Sequence, residues 1–362
     1  MATTISATDS ELQKPVNTVF SQLFLRRAQQ NCPYFVGTMP GQINRRRGTS
    51  TITWRRVDQL TPTTSALSEL TTTASYMQGR SSVTASTTEV SATVSKYGQF
   101  YITNEEVDLY LPNGHTAELV ATLGESAGRS LNQLQRNIAE DNSTLRYGGN
   151  VASDGAVTAA VVLNDLKRVI NELLVNSART FAPMTTGSQN IGTAPVLPAF
   201  WAINHPNVSE DVCGISGFKS VETYAGQTAT IQGEYGLIQR AGKAIRFIQT
   251  EDASIDSGSG ASGAASAGLK GTSDNVDVYT IVVYGRDAFG SVGLGRRHTD
   301  GVYRAGDDPG MWDLIFHDRG SGGTSDPYNE VATLAWKGFH AGAVLNSNWS
   351  RGIRVGATDL TA

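Results

Sequence analysis

The chain has 362 residues, 39% of them hydrophobic, and a formal net charge of −4. A chain of this length buries roughly three quarters of its unfolded surface, so it needs neither disulfides nor metal to be stable. Cys32 and Cys213 lie far apart, without histidine or cysteine at metal-ligand spacing, which indicates free thiols in a reducing compartment. With no signal-peptide pattern and no apolar run of membrane-spanning length, we expect a soluble protein made in the cytoplasm.

Positive charge is concentrated near the N-terminus. Residues 1–100 carry ten Lys or Arg against five Asp or Glu, net +5, whereas the other 262 residues carry nineteen against twenty-eight, net −9. One interpretation is an ordinary solvated surface. The other is a basic part that meets acidic surface or phosphate, with electrostatics that steer association. The overall acidity and the absence of a zinc-finger or RNA-recognition motif argue against a dedicated nucleic-acid binder.

The first elements in chain order are extended. Residues 1–45 are predicted to form an N-terminal arm with one short amphipathic helix. An extended two-stranded loop is predicted over 46–103. Its first strand is STITWRRV at 50–57, and its second runs from Val90 to Thr103; both alternate apolar and polar side chains, which is typical of strands with two unlike faces.

The segment between these strands lacks the apolar residues to fold alone. Residues 61–95 contain eighteen Ser or Thr and three charged residues. A loop this long is either disordered or ordered by something outside its own subunit. The flanking strands favour the second explanation, so we expect the loop to lie on a neighbouring copy. Candidate residues for contacts between subunits are Arg55, Arg56, Leu67, Glu69 and Arg80.

The best helical pattern spans about 116–141, with apolar side chains at three- and four-residue spacing. At ~1.5 Å per residue this helix would be roughly 40 Å long. The residues expected to pack on its apolar side are Leu123, Gly124, Gly128, Leu131 and Leu134.

The same segment contains GESAG at 124–128, a literal match to the G-x-S-x-G nucleophile motif with Ser126 as the candidate nucleophile. That motif needs a strand before the serine and a sharp turn at it. Here the helical spacing continues through the motif, so we expect Ser126 to lie within a helix and to have no catalytic role. Gly124 and Gly128 then serve to let another backbone approach closely.

The pattern of the remaining sequence, after residue 141, predicts a mixture of helices and strands. The chain as a whole is therefore predicted to have an α+β architecture. A second helix is expected at about 157–176 and a buried strand within 196–206. Residues 256–275, rich in Gly, Ser and Ala, indicate a flexible surface insertion by composition. Shorter strands are expected around 235–249, 276–284, 341–345 and 351–355.

No other motif supports chemistry. Gly236 to Lys243 has five residues between its glycines rather than the four of a phosphate-binding loop, and Ala244 follows where Ser or Thr is needed. The five histidines form no pair at metal-ligand spacing. We therefore predict no catalytic residue, no cofactor and no metal site, and not an enzyme.

Several segments, in order along most of the chain, carry a family resemblance. They are FLRRA at 24–28, Arg55 and Arg56 with Leu60, then Thr64, Leu67 and Glu69, SKYGQFYITNEE at 95–106, Leu123 with Gly124, Leu134 to Arg136, AFWAINHPNVSEDV at 199–212, and AWKGFHAGAVLN at 335–346. In these the chain resembles the major capsid proteins of tailed bacteriophages, the fold typified by phage Hong Kong ninety-seven, and in particular the branch of large podophages related to phage N-four. Leu70 and Lys96 depart from that pattern, where the family usually has glycine and glutamine.

The resemblance implies a division of the chain into five parts. They are an N-terminal arm (1–45), an extended loop (46–103), a peripheral domain with a long spine helix (104–155), an axial domain with the flexible insertion (156–330), and closing strands of the peripheral domain (331–362).

It also implies a function by self-association. Hexamers and pentamers would assemble with scaffolding protein and portal, in the host bacterial cytoplasm, into an icosahedral virion shell enclosing double-stranded DNA. Further implied partners are decoration or minor capsid proteins and, non-specifically, the packaged DNA, with no membrane contact. Two alternatives stay open: an encapsulin-like shell, which shares the fold, and a serine esterase using Ser126.

Overall fold

The computed structural model describes residues 32–41, 50–57, 60, 62, 64, 86–106, 115–181, 198–223, 233–240, 242–263, 268–292, 312–317, 319 and 327–360. The fold is α+β, as predicted. The helices are α1 (His115–Asp141), α2 (Leu163–Val175) and α3 (Pro206–Cys213). The strands are β1 (Met39–Gly41), β2 (Thr51–Val57), β3 (Thr87–Thr93), β4 (Ser95–Asn104), β5 (Thr144–Tyr147), β6 (Ala199–Asn204), β7 (Phe218–Ser220), β8 (Glu234–Arg240), β9 (Lys243–Gln249), β10 (Ile255–Asp256), β11 (Gly271–Thr272), β12 (Asn275–Val276), β13 (Val278–Tyr284), β14 (Phe289–Val292), β15 (Trp312–His317), β16 (Val331–His340), β17 (Gly342–Val344) and β18 (Ser350–Val355).

The largest sheet has eight strands in the order β5-β18-β13-β6-β9-β8-β7, with β10 paired to β13. Every residue of β6 and β13 is buried. Such continuous apolar strands are expected where both faces of a sheet are covered. Helices α2 and α3 cover one face, and the end of α1 with the segment around Tyr34 covers the other. The predicted buried strand within 196–206 is confirmed as β6.

A smaller sheet, in the order β15-β16-β4, packs against α1. Leu334 and Trp336 of β16 meet an apolar face of the helix. The prediction of a helix at 116–141 is confirmed to within one residue. Of its five predicted packing residues, Leu134 is half-buried and the others are buried, as the three- and four-residue spacing required.

The predicted strand from Val90 to Thr103 is two strands, and this is a correction. β3 pairs antiparallel with β2, from Thr51 opposite Thr93 to Val57 opposite Thr87. After Val94 the chain leaves this hairpin, and β4 pairs along its whole length with β16. The apolar residues at even positions, Val90, Ala92 and Val94, are followed by Lys96 and Gly98, so the alternation is interrupted where the chain changes partner.

The second helix is shorter than predicted. α2 begins at Leu163, not near 157, because residues before it are extended: Val157 and Val161 are buried and Ala160 pairs with Gly356. The tail also divides among three sheets, with β17 beside β14. β16 lies beside β4, whereas β18 lies between β5 and β13 in the large sheet.

The Gly/Ser stretch differs from the flexible insertion that its composition suggested. Its described residues form β10, β11 and β12 and are tied to the body by backbone hydrogen bonds. The amide of Ala261 donates to the carbonyl of Val157 at 3.2 Å, and that of Lys270 to Ala357 at 2.8 Å. Small residues let these backbones approach closely, which composition alone cannot distinguish from a linker.

Candidate assembly surface

The β2–β3 hairpin is anchored to its own subunit by one apolar face. Ile52 and Trp54 are buried on a small sheet, β1-β14-β17. A Cβ on Gly41 or Gly290 would come within 2.7 or 2.8 Å of the Trp54 indole, so only glycine leaves room for that ring. The base of the predicted extended loop is therefore fixed, with its other face exposed.

Arg55 and Arg56 point to opposite sides of β2, as consecutive strand residues do. Arg55 Nη2 lies 2.9 Å from Glu89 Oε1 of β3, and both side chains are more than half exposed. A pair this exposed adds at most about 1 kcal/mol. Arg56 Nη1 donates to the carbonyl of Leu345 at 2.8 Å. Their predicted contacts with another subunit stay predictions, and Leu67, Glu69 and Arg80 lie outside the described residues.

The three-stranded sheet has an exposed apolar face that the sequence did not single out. On β4, Gln99 turns towards α1, so Phe100 and Ile102 face away from the helix. Phe100 is 67% exposed and Ile102 is 55% exposed. β4 is also the edge strand of the described sheet. Exposed apolar side chains on an edge strand are typical of surfaces covered by another chain.

Ser126 does not have the surroundings of a nucleophile. It lies inside α1, and its hydroxyl donates to Oε1 of Gln99 at 2.8 Å. The helix runs through the glycine motif without a turn, so the strand-turn-helix geometry of an esterase is absent here. Gly124 and Gly128 are buried, and the Gly128 carbonyl accepts from the thiol of Cys32 at 3.4 Å. The close approach of another backbone to these glycines stays a prediction.

A buried polar joint connects α1 to the turn after β9. Asp252, 5% exposed, accepts from Asn132 Nδ2 at 2.9 Å and from Arg129 Nε at 3.1 Å. The backbone carbonyl of Asp252 accepts from Arg136 at 2.6 Å. Nearby, burial raises the pKa of Glu140. This joint holds the helix-bearing sheet to the large sheet.

His340 lies at the corner where β16 ends and β17 begins. Its ring packs edge-on against Phe35 at 5.9 Å and Tyr97 at 6.4 Å between ring centres. Burial among apolar groups lowers the pKa of His340 to about 4, so the ring is neutral near pH 7. Within the described residues its Nε2 has no hydrogen-bond partner.

The described residues contain no group of three His, Cys, Asp or Glu side chains that could bind a metal. Among the same residues, no helix has the length and hydropathy to cross a membrane. The polar groups that the described residues bring together hold elements of the fold to one another or lie on exposed surfaces.

Three solved phage structures share the fold. The capsid of Ralstonia phage GP4 aligns with a TM-score of 0.59 and 10% identity, over 86% of this chain and 85% of that chain. The head of Helicobacter pylori bacteriophage KHP40 gives 0.55 and 11%, over 91% of both chains. The capsid of cyanophage P-SCSP1u gives 0.52 and 10%, over 91% and 89%.

No protein-family model and no curated protein sequence matches the chain. At these identities the likeness defines the fold, and this chain has the fold of bacteriophage capsid proteins.

Proposed function

We propose that this chain is the major capsid protein of a tailed bacteriophage. Its copies associate as hexamers and pentamers into the icosahedral head shell that encloses double-stranded DNA. The observation that carries the proposal is the shared arrangement of elements over 91% of this chain and 91% of the KHP40 head protein. The chain acts by self-association, as a structural protein and not as an enzyme.

We further propose the branch related to phage N-four. The strand, His-Pro turn and helix that the resemblance implies at 199–212 are present as β6 and α3. Pro206 occupies the first helical position, and Nδ1 of His205 accepts from the Asn207 amide at 3.1 Å. That cap satisfies one of the free amides at the helix start.

The five parts of the chain have proposed roles in the shell. The 46–103 loop extends from its anchored base over a neighbouring subunit, through Arg55, Arg56, Leu67, Glu69 and Arg80. Spine helix α1 with the sheet of β15, β16 and β4 is proposed as the peripheral domain, and the large sheet as the axial domain. With this assignment β5, β15 and β18 fall on the other side of the predicted boundaries of 104–155, 156–330 and 331–362. Scaffolding protein, portal, and decoration or minor capsid proteins are the other partners, with non-specific contact to packaged DNA, in a virion assembled in the host bacterial cytoplasm.

Electron microscopy of the purified recombinant chain tests this proposal. We expect closed particles of uniform size, or rings of five and six subunits that close when a crowding agent is added. The same preparation should not hydrolyse a nitrophenyl ester above the buffer rate. A chain that stays monomeric at every salt and protein concentration tried would contradict the assignment.

A further inference from the structure

A large cleft separates the β2–β3 hairpin from the loops at one end of the large sheet. Its volume is about 910 Å³. Trp54, Arg55 and Arg56 form one wall, and the loops around Arg179 and Trp349 form the other. A second, shallower pocket of about 500 Å³ continues from it and shares Ser177, Arg179 and Asp287. Together they are large enough for several residues of a peptide.

The lining of this cleft is strongly basic. Among the described lining residues there are four arginines, Arg55, Arg56, Arg179 and Arg286, and one acidic residue, Asp287. Glu89 of β3 pairs with Arg55 at 2.9 Å, so the positive charge of the cleft that matters most for a partner is that of Arg179. A concave basic surface concentrates anions and favours a partner of opposite charge.

The fold holds two of these arginines side by side. The amide of Arg286 donates to the carbonyl of Arg179 at 2.8 Å, which fixes the two backbones together. Arg286 lies 3.7 Å from the carboxylate of Asp287. No described carboxylate forms an ion pair with Arg179; its guanidinium instead stacks over the ring of Trp349 at 5.4 Å. Like charges kept this close are stabilised when an external carboxylate joins them.

The C-terminal end of α2 also faces this region, but the carbonyl groups that carry its partial negative charge accept hydrogen bonds from other residues. The Leu173 carbonyl accepts from the amide of Ala178 at 2.9 Å, and the Asn176 carbonyl accepts from the indole of Trp349 at 3.2 Å. These bonds leave the guanidinium groups as the dominant charges. Asn346 and Asn348, which also line the cleft, offer amide groups to a peptide backbone.

We infer that this cleft binds an acidic segment of a second copy of the chain. The inference rests on the proposed function, because it requires copies to meet in a shell. Charge complementarity supports a second copy as the occupant: residues 101–362 carry a net charge of −9, whereas the arginines of the hairpin belong to the basic first hundred residues. The cleft thus becomes a carboxylate-binding contact between subunits.

Charge reversal in the cleft is the first test. Arg179→Glu places a carboxylate against the incoming one, so we expect the yield of closed particles to fall by at least about tenfold. Lys167→Glu is the matched control, since it makes the same charge change on the exposed side of α2, and it should assemble normally. Normal yield from Arg179→Glu would overturn the inference. Failure of the unchanged chain to assemble would instead count against the proposed function.

A second experiment uses a substitution that preserves the charge and a chemical cross-link to identify the occupant. It stays informative even if Arg179→Glu misfolds. Particles are assembled from unlabelled Arg179→Lys chains mixed with nitrogen-15-labelled unchanged chains and treated with a carbodiimide. This reagent joins an amine to a carboxylate as an amide. We expect a linked pair with one light and one heavy peptide, containing position 179 and an Asp or Glu. Pairs confined to light peptides of one chain, or a product with nucleic acid, would overturn the inference.

Discussion

Single residues decide how closely other segments approach the spine helix. Gly128 is buried where the thiol of Cys32 reaches its carbonyl, and two residues along the chain the Tyr34 amide donates to Asn132 Oδ1 at 3.0 Å. A larger side chain at Gly128 would push this segment away. Ser126, by contrast, makes one hydrogen bond to the exposed side chain of Gln99.

These positions give opposite predictions under the capsid and esterase interpretations. Gly128→Leu should lower the free energy of unfolding by about 1–3 kcal/mol through overpacking, and Ser126→Ala by about 1 kcal/mol or less. Urea unfolding measures both values. Gly155→Leu is the control, because a Cβ there would meet no atom within 4 Å. Ester hydrolysis that disappears only in Ser126→Ala would reverse the assignment of the motif.

The burial of the His340 ring makes the stability of the fold depend on pH. The folded pKa is about 4, below the ordinary value of 6.5. The unfolded chain therefore binds the proton first as the pH falls. The stability that His340 contributes is complete above pH 6.5 and is lost as the pH falls towards 4.

We expect the free energy of unfolding to fall by up to about 3 kcal/mol from this residue between those pH values. In His340→Phe, which keeps an aromatic ring against Phe35 and Tyr97, the decrease should be smaller by that amount. Urea unfolding across the pH range compares the two chains. An identical pH profile in both would show that His340 takes up its proton without unfolding the corner.

At the scale of elements, the β2–β3 hairpin has an anchored base, and its distal part, the sequence between the two strands, contains few large apolar residues. The anchor is the Trp54 ring beneath Gly41 and Gly290. Since Val57 pairs with Thr87, the chain enters and leaves the distal part at adjacent points. The distal part can therefore be removed without disturbing the anchor.

Replacing residues 58–86 with Asn-Gly should close the hairpin with a two-residue turn. We expect a folded subunit with nearly unchanged thermal stability, because the described contacts of the base remain. The same variant should fail to form closed particles, because the proposed contact with the neighbour is gone. Normal particles by electron microscopy would show that the loop has no role in assembly, and an unfolded subunit would show that it stabilises its own chain.

At the scale of the whole molecule, Asp252 in the turn after β9 connects the large sheet to the helix α1 that packs on the smaller sheet. Asp252 receives hydrogen bonds from Arg129, Asn132 and Gln133 of α1. Asn132 is fully buried, so loss of the carboxylate would leave an amide without its partner inside the protein.

Asp252→Ala should therefore lower the free energy of unfolding by about 1–3 kcal/mol, measured by urea denaturation. Glu251→Ala is the matched control, since this neighbouring carboxylate is exposed, and it should change little. In shells, we expect Asp252→Ala particles to dissociate at lower temperature than unchanged particles. Equal stability of the two variants would mean that apolar packing alone holds the sheets together.

Local patterns in the sequence determined the elements with a strong internal period. The long helix was predicted to within one residue, and β6 was predicted as buried, because side-chain periodicity directly reflects which face is covered. The continuous helical spacing also correctly placed Ser126 inside a helix. Each of these features depends on residues close together in the chain.

Only the tertiary structure decided which distant segments meet. The sequence alone does not show that β3 pairs with β2 and β4 with β16, because pairing partners depend on contacts far apart in sequence. The same reason applies to the hydrogen bonds that hold the Gly/Ser stretch, to Asp252 beneath α1, and to the arginine cleft. The arginines of that cleft come from segments more than a hundred residues apart along the chain, and their shared surface exists only when the hairpin packs beside the large sheet.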